Sequence, residues 1–135
     1  MPSNKIKLSL FLCLSMCLGI GILRFSYTAL LPTTRIAYDW SLQFSSILGS
    51  ANLLGYLMGA FWAMKLPQNP NMSKFILGAA FAGTISLLSC AFSNFSESWY
   101  IFWRVISGIS GGLLMILSPS VVAQCCKPEE RLSIN

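Results

Sequence analysis

Residues 8–31 have the sequence LSLFLCLSMCLGIGILRFSYTALL, an apolar run whose only full charge is Arg24. Three further apolar runs follow, at residues 42–64, 75–95 and 99–123, and their only full charge is Arg104. Each run is close to the roughly 20 residues that a helix needs to cross the hydrocarbon core of a bilayer. The sequence therefore predicts an all-α, polytopic membrane protein with four transmembrane helices.

The composition supports the same fold class. Of the 135 residues, 55% are hydrophobic and 10% are charged, and the mean hydropathy is +0.67. Soluble domains carry about 25% charged residues, so a water-soluble core is excluded. The connections between the runs are too short for a separate soluble domain, and residues 1–135 are expected to form a single transmembrane unit in the lipid bilayer.

The net charge of +5 indicates membrane topology, because the cations are scattered beside apolar runs and form no basic stripe for nucleic acid. Positive residues near the ends of spans favour the cytoplasmic side. Arg35 lies on one side, and the side that holds both chain ends carries Lys5, Lys7, Lys65, Lys74, Lys127 and Arg131. We expect both termini in the cytoplasm, at the cell membrane or, in a Gram-negative cell, the inner membrane.

The basic start of the chain also resembles a secretory signal. The apolar core of such a signal is only about 7–15 residues long, whereas this run continues to Leu31. The segment is therefore expected to remain as the first span.

Residue types argue against catalysis, metal binding and cofactors. The chain has no histidine, and its five cysteines include no Cys-x-x-Cys pair, which leaves a metal or thioredoxin-like site without support. No base is present beside a serine or cysteine nucleophile, and no glycine-rich loop follows a strand. We predict a protein that is not an enzyme and that needs no cofactor.

Small residues recur at the spacing that allows membrane helices to pack closely. Gly55 and Gly59 form a Gly-x-x-x-Gly motif in the second span, and Gly108 and Gly112 form another in the fourth. Because lipid offers no hydrophobic driving force between helices, such faces permit close van der Waals contact. These four glycines are predicted helix-packing residues.

Polar residues form stripes at helical spacing in three of the spans. In the first span the stripe is Cys13, Cys17, Gly21, Arg24 and Thr28; in the second it is Ser45, Gly49, Asn52, Tyr56 and Gly59; in the fourth it is Tyr100, Arg104, Gly108, Gly111 and Met115. We expect the three helices to converge on one polar cavity. Two locations remain open for Arg24 and Arg104: this cavity, or the outer headgroups reached by snorkelling.

Three segments resemble a known family. Residues 19–32, GIGILRFSYTALLP, resemble the first helix of the YbfB/YjiJ-type branch of the major facilitator superfamily. Residues 50–60, SANLLGYLMGA, are similar to its second helix, and Trp103-Arg104 followed by Gly108 is similar to its fourth. The resemblance covers roughly residues 8–122. It departs from the branch at Leu23, where glycine is frequent, and at Ala29, where proline is frequent.

The resemblance implies a partial N-terminal bundle of a major facilitator fold, in a secondary transporter that rocks two six-helix bundles around a central site. By similarity, Arg24, Tyr27, Asn52 and Arg104 become substrate-pathway candidates, and the polar stripes add Thr28 and Tyr56. The connection between the second and third spans lacks the family's Gly-x-x-x-Asp-Arg signature. The substrate, the coupling ion and the direction of transport are not indicated, although two cavity arginines would suit an anionic group on a ligand.

Length separates the remaining hypotheses. Four spans are a third of the usual twelve, so the preferred interpretation is a truncated gene product, part of a six-helix bundle that does not transport alone. Its partner would be a complementary transporter segment. The alternative is a small, non-catalytic four-span protein that self-associates through its glycine faces. A small multidrug exporter would need an acidic residue in the first span, where this chain has none.

Overall fold

The computed structural model describes residues 10–66, 72–91 and 96–125, and for Arg24, Ser26 and residues 122–125 it describes the backbone alone. Four helices make up this part of the chain: α1, Leu10–Ala37; α2, Leu42–Lys65; α3, Met72–Ala91; and α4, Glu97–Cys125. All four are long and apolar enough to cross a membrane. The predicted all-α, four-span fold is confirmed.

Helix α1 changes its winding along its length. Residues Cys17–Phe25 form a π-helix, and Ser26–Ala37 return to α-helical geometry. The helix continues past Pro32 to Ala37, beyond the predicted end of the span at Leu31. The hydroxyls of Thr33 and Thr34 both donate to the carbonyl oxygen of Leu30, at 2.9 and 2.7 Å. Pro32 has no N–H to donate to the carbonyl of Thr28, four residues earlier, and the helix nevertheless continues.

The turn between α1 and α2 is tight and capped. Asp39 adopts a left-handed φ of 51°, a conformation that aspartate tolerates better than most residues. The Oγ of Ser41 then accepts the backbone N–H of Phe44 at 3.1 Å, which caps the first turn of α2. This geometry makes α1 and α2 antiparallel neighbours.

Helices α2 and α4 form the closest helix pair, and glycines make the approach possible. A side chain at Gly55 or Gly59 would meet the backbone of α4, at Val105 and Ile109. Conversely, a side chain at Gly108 or Gly112 would meet the backbone of α2. The structure thus places the two Gly-x-x-x-Gly motifs against each other within one chain.

Helix α1 packs against α4 through a face that differs from the predicted stripe. The predicted positions Cys13, Cys17 and Gly21 are exposed, which corrects their placement in the polar cavity. The buried positions are instead Leu12, Ser15, Gly19 and Leu23. These buried positions recur every three or four residues, so they form one continuous face of α1 beside the predicted stripe.

Candidate functional site

Arg104 lies at the centre of the candidate site, on the second turn of α4. Its side chain is only 4% exposed, and its guanidinium carbon lies 4.1 Å from the centre of the Tyr27 ring. This arrangement is a cation–π contact in a desolvated setting. The Nε atom of Arg104 has no hydrogen-bond partner among the residues that the structure describes. This buried cation therefore has an N–H donor that no described residue accepts from.

Tyr27 fixes the position of α1 over this arginine. Its hydroxyl donates to the backbone carbonyl of Ser45 on α2 at 3.0 Å, and Ser45 is buried. The ring of Tyr27 thus contacts α4 while its hydroxyl is bound to α2. One side chain connects three helices at the depth of Arg104.

Asn52 connects α2 to α4 at the same level. Its Nδ2 donates to the backbone carbonyl of Arg104 at 3.1 Å, and the side chain is 7% exposed. Gly108 permits this close approach, because a Cβ there would overlap the backbone of Asn52. The small-residue face and the polar stripe are therefore parts of one helix contact.

Tyr56 lies one turn further along α2, and its hydroxyl donates to the Sδ of Met115 on α4. This pair links positions from the predicted stripes of the second and fourth spans. This hydrogen bond joins α2 to α4 next to Asn52 and Arg104.

A pocket of about 200 Å³ opens between α1, α2 and α4. Its walls are formed by Tyr27, Thr28, Gly49, Asn52, Leu53, Tyr56 and Arg104. Five of the six substrate-pathway candidates are in this set. Whether these residues contact a substrate remains a prediction. The side chain of Arg24, the sixth candidate, lies outside the described residues.

A second pocket, of about 390 Å³, shares Tyr27 and Arg104 with the first. It continues toward the turn between α1 and α2, where Tyr38 and Trp40 stack with ring centres 5.2 Å apart. Because the prediction ends the first span at Leu31, it leaves out Thr34 and Tyr38. No signal in the sequence marks these two residues, because a proline commonly ends a helix.

The described residues contain no group of three His, Cys, Asp or Glu side chains placed to hold a metal ion. Cys13, Cys17 and Cys90 are free thiols. Cys90 lines the second pocket together with Arg104. Acidic groups within the described helices are confined to Glu97, in the first turn of α4, so no carboxylate from these helices reaches Arg104.

Four helices that are long and apolar enough to span a membrane define a polytopic membrane protein, and the pocket described above lies between three of them. The sequence matches the family described as "Uncharacterised MFS-type transporter YbfB" over residues 16–135. The chain belongs to this family of the major facilitator superfamily, which confirms the resemblance. No curated protein and no solved structure matches the chain.

Proposed function

We propose that α1, α2 and α4 form one wall of a substrate pathway in a secondary transporter, and that their shared pocket contacts the substrate. The observation that carries the proposal is the meeting of Tyr27, Thr28, Asn52, Tyr56 and Arg104 around one pocket. A buried ionisable residue facing such a cavity is typical of a functional position in membrane proteins. No chemical transformation of the substrate is part of this function.

The pocket is open in these four helices, so a complementary helix bundle is needed to close it. That bundle would belong to the same polypeptide or to another one. The four helices alone are then expected to bind without completing transport, because alternating access requires two bundles that move against each other. In the membrane, both termini would lie in the cytoplasm.

Self-association through the glycine faces has less support. Gly55, Gly59, Gly108 and Gly112 are buried in the contact between α2 and α4 of one chain. They are not available to a second copy unless that contact opens. The transporter proposal uses these glycines as the packing that brings Asn52 to Arg104.

Cysteine labelling tests whether the pocket is a water-filled pathway. All five native cysteines are replaced by alanine, and Thr28→Cys is compared with Phe81→Cys in native membranes. Thr28 lines the pocket, whereas Phe81 is 69% exposed in the middle of α3, away from it. A water-soluble thiosulfonate should modify Thr28→Cys at least about tenfold faster, because a thiol must ionise to react and lipid prevents this.

Equal labelling rates at the two positions would contradict the pathway. Size-exclusion chromatography of each variant in detergent shows whether the fold is kept. Tyr56→Cys, on the opposite wall of the same pocket, provides a second reporter.

A further inference from the structure

We infer that the pocket between α1, α2 and α4 binds a ligand through a carboxylate group, which Arg104 holds. This inference rests on the proposed function and names the substrate class of the same site. It is argued from burial, from charge and from the lining of the pocket.

Burial leaves Arg104 in need of an anion. A guanidinium carries five N–H donors and stays charged, and an unpaired buried charge is strongly unfavourable. The ring of Tyr27 lies against the guanidinium, but the face of an aromatic ring is only a weak hydrogen-bond acceptor. The Nε donor has no partner among the described residues, and the residue is 4% exposed. A planar anion entering the pocket would supply the missing acceptors.

Charge balance favours a carboxylate over a phosphate ester. The described lining supplies one positive charge, that of Arg104. A carboxylate carries one negative charge and matches the guanidinium fork with two parallel hydrogen bonds. A phosphomonoester carries a charge of about −1.5 to −2 at neutral pH. Its excess charge would need a second cation, which the described lining does not supply.

The pocket wall indicates the polarity of the ligand surface that lies against it. Leu53 and the rings of Tyr27 and Tyr56 offer apolar surface. Thr28 and Asn52 add polar groups at the edge. One ring or a short carbon chain next to the carboxylate would suit this mixed lining.

The test measures binding of three probes that differ in the charged group and little else. The whole chain is placed in phosphatidylcholine nanodiscs in chloride-free buffer, and binding of radiolabelled benzoate is measured by scintillation proximity. Unlabelled benzamide and phenyl phosphate are the competitors. Benzoate should bind saturably, and each competitor should be at least about tenfold weaker, the low end of what a hydrogen bond to a charged group contributes.

Variants then assign the selectivity to Arg104. Arg104→Gln should weaken benzoate binding at least about tenfold and leave benzamide binding within about twofold. Arg104→Lys keeps a point charge and should retain part of the preference for benzoate. The matched control is Arg35→Gln, because Arg35 is exposed near the end of α1 and lies outside the pocket. This control should bind all three probes like the unmodified chain.

Four results would each overturn the inference: no saturable benzoate binding, equal affinity for benzoate and benzamide, tighter binding of phenyl phosphate, or unchanged benzoate affinity in Arg104→Gln. The first three use the unmodified chain, so they stand even if a variant misfolds. Labelling of Thr28→Cys keeps the two proposals separable. Fast labelling without carboxylate selectivity would retain the pathway and reject the carboxylate, whereas slow labelling would reject the pathway.

Discussion

At the scale of single residues, the burial of Arg104 depends on neighbours from other helices. Tyr27 covers the guanidinium from α1, and Asn52 binds the carbonyl of the same residue from α2. Burying a cation inside a membrane costs less free energy when aromatic faces and polar groups replace part of its hydration. Arg104 is thus held in place by contacts that cross two helix boundaries.

Substitutions at Tyr27 should separate its ring from its hydroxyl. Tyr27→Phe loses the bond to Ser45 and should lower the free energy of unfolding by about 0.6 kcal/mol, the average for such bonds between membrane helices. Tyr27→Leu also removes the ring over Arg104 and should lower the free energy of unfolding by about 2 kcal/mol more. Unfolding in mixed detergent micelles, followed by circular dichroism, gives both values.

The control for this series is Phe61→Leu, because Phe61 is 63% exposed on α2. It should change the free energy of unfolding by no more than about 0.5 kcal/mol. If Tyr27→Phe proved as costly as Tyr27→Leu, the hydroxyl and not the ring would be what stabilises this position.

The individual site residues were largely predictable from the sequence. Asn52 and Arg104 stand out because a polar or charged side chain inside an apolar run needs a partner. Tyr38 and Cys90 did not stand out, because nothing in their local sequence shows that α1 and α3 bring them to the same pocket. Their position depends on helix packing, which no short motif encodes.

At the scale of helices, α1 packs against α4 through small side chains. Ser15 and Ser118 are joined by a hydrogen bond of 2.7 Å between their hydroxyls, and a Cβ at Gly19 would lie 3.0 Å from that of Leu114. The predicted polar stripe and this packed face both recur every three or four residues, so helical spacing alone does not select between them. The prediction chose the face by its polar residues, whereas the fit against α4 depends on tertiary packing.

The contact between α2 and α4 should be far less tolerant of added volume than the surface of the bundle. Gly108→Ala would place a methyl group on the backbone of Asn52, so the two helices must separate. We expect a loss of about 1–3 kcal/mol in the free energy of unfolding, the usual cost of overpacking. The same substitution should weaken the hydrogen bond from Asn52 to Arg104.

Gly78→Ala is the matched control, because a Cβ at Gly78 meets nothing within 4 Å. Alanine favours the helix over glycine by about 0.5–1 kcal/mol, so this variant should be neutral or slightly more stable in the same unfolding measurement. Comparable losses in the two variants would mean that the helix contact does not limit stability.

At the scale of the whole molecule, the four helices follow from physics that the sequence displays directly. Backbone polar groups have no water to bind inside lipid, so each apolar run of sufficient length must become a helix. The short connections then force the helices to alternate in direction. Which helices touch most closely depends on the glycines at 55, 59, 108 and 112, whose spacing indicates a packing face but not its partner.

The charges at the two ends of the bundle lead to a prediction about its orientation. Lys65 ends α2 and Lys74 lies in the first turn of α3, so both lie at one end. Arg35, Asp39 and Glu97 share the opposite end, where the Nε of Arg35 donates to the carbonyl of Trp40 at 3.2 Å. Because lysine and arginine near span ends favour the cytoplasm, the lysine end should face inward.

Reporter fusions measure this orientation. Green fluorescent protein fused after Lys65 should fluoresce and alkaline phosphatase fused after Asp39 should be active, because the first reporter folds in the cytoplasm and the second needs the oxidising side to form its disulfides. Exchanging the two reporters between the two sites is the control and should silence both. The opposite pattern would place the lysine end outside, and the termini would then lie outside the cytoplasm as well.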